Sequence, residues 1–82
     1  MNTHTGIVKY FDGSAITVFI EDSNDFVYLD HAHIELEKGD IITGLRYEHG
    51  DQQVLVNHTV QTIVNVDDWG LSLLDIQRYG FE

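Results

Sequence analysis

Hydrophobic and polar residues alternate along most of the chain, in short runs bounded by turn residues. In residues 15–21, Ala-Ile-Thr-Val-Phe-Ile-Glu, strand geometry sets Ile16, Val18 and Ile20 on one face and Thr17, Phe19 and Glu21 on the other, because successive side chains of a strand point to opposite sides. The same rule turns Val27 and Leu29 inward and leaves Phe26 and Tyr28 facing outward. The pattern predicts a first strand over residues 5–11, ended by Asp12-Gly13-Ser14, a second over 15–21 and a third over 26–29. A mixed connection over 30–40 follows, closed by Lys38-Gly39-Asp40. A fourth strand spans 41–48, with Gly44 as a bulge or barrel corner. His49-Gly50-Asp51 reads as a hairpin turn into a long fifth strand over 53–63, dense in the β-branched residues that suit a pleated surface. Beyond Val66 the spacing of Trp69, Leu73 and Ile76 becomes helical, behind the acidic pair Asp67-Asp68 that can cap free N–H groups. A helix is expected over 67–79, stopped by Gly80.

Five strands with a longer link after the third are the plan of an OB-type Greek-key barrel. The expected fold is therefore all-β, a five-stranded barrel over residues 1–66, with a helical extension over 67–82 packed on or beside it. No internal repeat, linker or low-complexity tract divides the 82 residues.

Certain residues also resemble the cold-shock domain family. Thr-Gly-Ile-Val-Lys-Tyr-Phe at 5–11 is similar to that family's opening strand, usually Gly-x-Val-Lys-Trp-Phe. Residues 15–20 sit where the family carries Lys-Gly-Phe-Gly-Phe-Ile, and Asp-Phe-Val-Tyr-Leu at 25–29 where it has Val-Phe-Val-His-Phe. Leu-Glu-Lys-Gly-Asp-Ile-Ile at 36–42 resembles its link into strand four, and residues 50–57 are loosely similar to its Gly-Pro-Gln-Ala-x-Asn segment. The likeness covers about residues 5–63 and leaves the C-terminal segment unmatched. It implies binding of single-stranded RNA or DNA on strands one to three, with Lys9, Tyr10, Phe11, Phe19, Phe26 and Tyr28 as the surface. In the family pattern Tyr10 replaces a tryptophan and Tyr28 a histidine, Thr17 stands in place of a phenylalanine, Ala15 in place of a lysine, and Ile16 and Val18 in place of glycines.

Alternation alone already places Phe19, Phe26 and Tyr28 on one outward surface, and base–aromatic stacking contributes about 1–3 kcal/mol per base. Charge opposes this reading. Fourteen acidic residues face four basic ones, a formal net charge of −10, and the cations Lys9, Lys38, Arg46 and Arg78 are scattered. Sequence-independent binding draws on cations that displace counterions from phosphates. Only Lys9 lies near the rings, while Asp12, Glu21, Asp22, Asp25 and Asp30 border the same strands. Strand binding is thus expected to be weak, micromolar or poorer. Two alternatives follow. The helix, through Trp69, Leu73, Leu74 and Ile76, covers the rings and turns them into core. Or the chain is an acidic interaction module or inhibitor that keeps the fold, lacks nucleic-acid binding and faces a basic protein partner.

Other chemistries find less support. The chain has no cysteine, so no disulfide framework or thiolate metal site is available. Asp30, His31 and His33 are close in sequence, but no third and fourth ligand can be named, so no metal or other cofactor is expected. Ser14, Ser23 and Ser72 sit in no nucleophile motif, and the glycines form no phosphate loop. No enzyme is expected. Asn57-His58-Thr59 fits the glycosylation pattern, but without a secretory signal it is read as coincidence. The start of the chain lacks a signal-like apolar run and no stretch reaches membrane-spanning length, which points to a cytoplasmic protein without a membrane partner.

Overall fold

The computed structural model describes residues 3–12 and 15–78. It contains β1 (His4–Asp12), β2 (Ala15–Ile20), β3 (Asp25–Ala32), β4 (Ile41–Leu45), β5 (Gly50–Val56), β6 (Val60–Leu71) and α1 (Leu73–Arg78). The six strands close into a barrel in the order β1-β2-β3-β6-β5-β4, with every neighbouring pair antiparallel. No helix among the described residues is long and apolar enough to cross a membrane.

The barrel has six strands where five were expected, because the long run after Gln53 folds back on itself. Asn57 and His58 both take left-handed backbone angles, φ 51° and 64°, as the tight primed hairpin turns require. The Thr59 amide donates to the Val56 carbonyl, and Val56 pairs with Val60. The Asn57 side chain locks the turn in place. Its Oδ1 accepts from the Ile41 amide at 2.9 Å, while its Nδ2 donates to Asp40 at 3.1 Å.

Sequence alternation places the core. Ile16, Val18, Ile20, Val27 and Leu29 are buried inside with Val8, Ile42, Leu45, Val54, Val56, Val64 and Val66. β3 and β4 lie on opposite sides of the ring, so residues 33–40 must cross one end of the barrel. That crossing drops Leu36 into the core, where it is 2 % exposed. Backbone bonds from Gly39 N to Val8 O, Val8 N to Asp40 O and His33 N to Ile63 O fasten the link to β1 at one side and to β6 at the other. Gly44, at φ 93°, is the extra residue of a bulge, since His4 pairs with Leu45 and Thr5 with Thr43.

At the other end Tyr47 and Trp69 pack against the core. His4 stacks on Tyr47 with ring centroids 4.2 Å apart, and His49 lies 4.3 Å from Trp69. The Tyr47 hydroxyl donates to Asp25 at 2.7 Å and bonds Ser23 at the same distance. Buried Gln52 closes the β4–β5 loop with bonds to Arg46 N, Arg46 O and Glu48 O.

The expected helix over 67–79 is corrected to Leu73–Arg78. Residues 67–71 remain strand because β3 pairs with them, Tyr28 with Asp68 and Phe26 with Leu71. The helix starts at a capping box. Asp75 N donates to Ser72 Oγ, and Ser72 N donates back to Asp75 Oδ2, so two otherwise orphaned amides are satisfied reciprocally. Donation from the Ser72 amide, and from its hydroxyl at 3.0 Å, holds the Asp75 carboxyl below its ordinary range, with Arg78 nearby adding to the effect. The expected turn at Gly13-Ser14 and the helix end at Tyr79-Gly80 lie outside the described residues.

Candidate functional site

The outer face of β1–β2–β3 carries the aromatic residues singled out by sequence, except Phe11. Thr17 pairs with Tyr28 and Phe19 with Phe26 across β2 and β3, so these side chains do point away from the barrel interior. The β1 register slips between Val8 and Tyr10. Lys9 is therefore the extra residue of a bulge, and Tyr10 comes opposite Thr17 while Phe11 comes opposite inward-facing Ile16. Without that bulge strict alternation would send Tyr10 inward and Phe11 outward. Its effect is to place Tyr10 beside the other rings. The centroids of Tyr10 and Phe26 are 6.4 Å apart, and those of Phe19 and Phe26 are 5.0 Å apart, both tilted, within the favourable range for aromatic pairs.

Outward does not mean open. Phe26, Leu71 and Ile76 form a second buried cluster, with Tyr10, Ala15, Phe19 and Tyr28 packed against it. Ile76 is 0 % exposed and Phe26 is 9 % exposed. Thr17 is fully buried, and its hydroxyl finds no hydrogen-bond partner among the described residues. The end of β6 and the helix thus lie over the middle of the ring face. Trp69, expected among the covering residues, instead packs at the barrel end, while Leu73 and Leu74 are exposed. What stays accessible is the margin: Lys9 is exposed, and Tyr10, Phe19 and Tyr28 are half-buried. Phe11, expected on the same surface, is 42 % exposed but leaves it, because the bulge at Lys9 turns it to the barrel mouth beside Ile16 and His31.

Charge around this margin is negative. Glu21 and Asp22 are exposed in the β2–β3 turn, and Asp30 is exposed at the far end of β3, 3.7 Å from His31. Two of the four cations already face carboxylates, Arg46 with Glu48 at 3.2 Å and Arg78 with Asp75 at 3.8 Å. His31 and His33 stack with centroids 6.2 Å apart, in an open groove with Phe11, Ile16 and Glu35. Among the described residues no three His, Asp or Glu side chains come together as a metal-binding set.

Comparison with protein-family models, with curated proteins and with solved structures returns no significant match. The resemblance to cold-shock domains therefore rests on the quoted residues alone.

Sequence reasoning missed three residues that shape this surface. Leu71 falls within the span expected to be helix, Thr17 stands where the pattern expects an outward stacking ring, and the bulge at Lys9 carries no marker such as glycine. Ser72-Leu73-Leu74-Asp75 was a usable signal, because Ser-x-x-Asp ahead of an apolar residue reads as a helix start.

Proposed function

We propose that this chain is an acidic protein-interaction module on a variant OB-type barrel, cytoplasmic, whose carboxylate-rich surface engages a basic protein. A fitting partner is a nucleic-acid-binding protein whose phosphate-binding site the carboxylates occupy. The observation that carries the reading is Ile76, wholly buried against the ring face, so that the chain's own C-terminal segment fills the place where bases would stack. The net charge of −10 supports it, since opposite potentials steer association and like ones oppose it. The barrel reading draws on β1 pairing with both β2 and β4 and on the link that crosses one end, features expected of a closed Greek-key sheet.

The test is a salt titration of two probes against the intact chain, an arginine-rich peptide and an oligothymidine strand. The peptide should bind at low ionic strength and weaken steeply as salt rises, because screening shortens to about 8 Å at physiological salt. Oligothymidine should bind far more weakly at every salt concentration. Peptide that fails to bind at low salt, while oligothymidine binds, refutes the proposal.

A second reading is favoured by the accessible margin of the ring face. There Lys9, Tyr10, Phe19 and Tyr28, with Phe26 behind them and Phe11 turned away at the barrel mouth, bind single-stranded RNA or DNA weakly by stacking. This binding depends little on salt or strengthens as repulsion is screened. Replacing Phe19 and Tyr28 by alanine abolishes it.

A further inference from the structure

Carboxylates crowd one part of this molecule and are missing from another. Residues 52–66, from the β5–β6 hairpin, contain no Asp, Glu, Lys or Arg in a chain where 22 % of residues are charged. β4, residues 41–45, has none either. Alternation against the buried Ile42, Val54, Val56 and Val64 turns Thr43, Gln53, Leu55, Gln61 and Ile63 outward. The register joins them into one patch: Thr43 opposite Leu55, Leu55 opposite Gln61, and Gln53 opposite Ile63. Leu55 is 39 % exposed, and Val60 at the hairpin tip is 46 % exposed. A shallow groove of about 310 Å³ continues the patch, lined by Gln53, Gln61 and Ile63 together with His33, Ile34 and Thr62.

We infer that this face is the contact between two copies of the chain. Exposed strand surfaces ordinarily carry charges that prevent association, and the cores of protein interfaces are depleted in them. For a chain of net charge −10, meeting a second copy through the β2–β3 turn or the end of β6 would press carboxylates together. The β4–β5–β6 face is where two copies meet without that repulsion. The same requirement disfavours a strongly basic partner here, because the patch itself carries no carboxylate, and Asp51 and Asp40 at its rim are already engaged by Asn65 and Asn57. A closed barrel has no free strand edge, so the contact is sheet face against sheet face. About a two-fold axis, Leu55 of each copy meets the groove of the other. A standard interface takes about 800 Å² from each partner, a modest part of the 4850 Å² that one chain exposes. Area alone does not set affinity, which for such interfaces runs from about micromolar to picomolar, so the test of dimerisation spans a wide concentration range.

Sedimentation velocity over a concentration series up to about 500 µM tests the proposal, at low and high salt. The mass should rise from the 9.4 kDa monomer to twice that value. Added salt should tighten the dimer by screening residual repulsion between the copies, the opposite of the response expected for a basic partner. Leu55→Lys should weaken dimerisation at least tenfold with the circular-dichroism melt unchanged. Gln61→Glu, a second charge on the same face, should do the same, and Asp30→Asn on the acidic side should not weaken it. A chain that stays monomeric throughout, or a dimer indifferent to both Leu55→Lys and Gln61→Glu, overturns the inference. Neither result bears on binding of an arginine-rich peptide.

Discussion

Ile76→Ala tests whether the C-terminal helix holds down the ring face. Ile76 is 0 % exposed and touches the cluster of Phe26 and Leu71. The substitution removes three carbon groups, at about 0.8 kcal/mol each when buried, and a residual void adds to the loss. Because a six-residue helix can lift and let water in, the void relaxes and the cost falls near the low end for such changes, about 2–3 kcal/mol. A chain of this length has roughly 4–12 kcal/mol of stability to lose. With a urea slope near 1 kcal/mol per molar, the unfolding midpoint should drop by about 2–3 M. Leu74→Ala, two residues earlier and 58 % exposed, is the control, expected within about 0.5 kcal/mol of wild type. Urea unfolding followed by Trp69 fluorescence and by circular dichroism measures both. If Ile76→Ala costs no more than Leu74→Ala, the helix is not docked and the ring face is open.

Gly6→Ala should be costlier than its size suggests, about 3 kcal/mol. The added Cβ would lie 2.5 Å from Ile20 Cδ1 and Val18 Cγ1 and 2.7 Å from the Phe19 carbonyl oxygen, a backbone atom that cannot swing aside; thermal melts measure the loss. Asn57→Ala should cost about 2 kcal/mol, because it loses side-chain bonds to Ile41 N and Asp40 and leaves alanine at φ 51°. His58→Gly, at φ 64°, should instead stabilise by about 0.5 kcal/mol in the same melts. Burial raises the Tyr47 phenol above its ordinary value of 10.0; the Ser23 bond pulls it back in part, and the bond to Asp25 with that carboxylate's charge raises it again. Its contribution is fully present below the unfolded pKa and is lost as pH rises through the higher folded one. Tyr47→Phe should therefore flatten the fall of stability at alkaline pH, read from urea curves on either side of pH 10.

Much of the barrel could be read from the chain before any coordinates. Ile16, Val18, Ile20, Val27 and Leu29 point inward as alternation requires, and Phe19, Phe26 and Tyr28 point outward. Direction is a local property of a strand; exposure is not. Whether an outward ring meets water depends on the distant residues Leu71 and Ile76, and nothing in residues 15–29 encodes them. The hairpin at Asn57-His58 was obscured by its flanks, since β-branched residues on both sides favour continuing the strand. Asparagine's tolerance of left-handed angles was the available clue. The helix start was misplaced for a related reason. Trp69 and Leu73 are spaced like a helical pair, yet β3 offers residues 67–71 a pairing partner, and tertiary pairing outweighs local spacing.

The same rings cannot be both core and docking platform, and the small size of the barrel favours their use as core. At 82 residues, a domain hides only about 60–65 % of its unfolded surface, so one barrel interior leaves stability thin. Folding Leu71 and Ile76 over Phe26 adds a second apolar layer on the opposite side of the same three strands. Burying a Phe or Ile side chain contributes about 1.5–3 kcal/mol each, comparable to the stacking of one base on one ring. Stacking a base here would first require lifting Ile76, which cancels most of that gain. It would also bring phosphates toward Glu21, Asp22 and Asp30. A partner that instead brings arginines to those carboxylates leaves the second layer intact and meets attraction where a nucleic acid meets repulsion. Opposed charge and an occupied ring face thus favour the same class of partner for independent reasons.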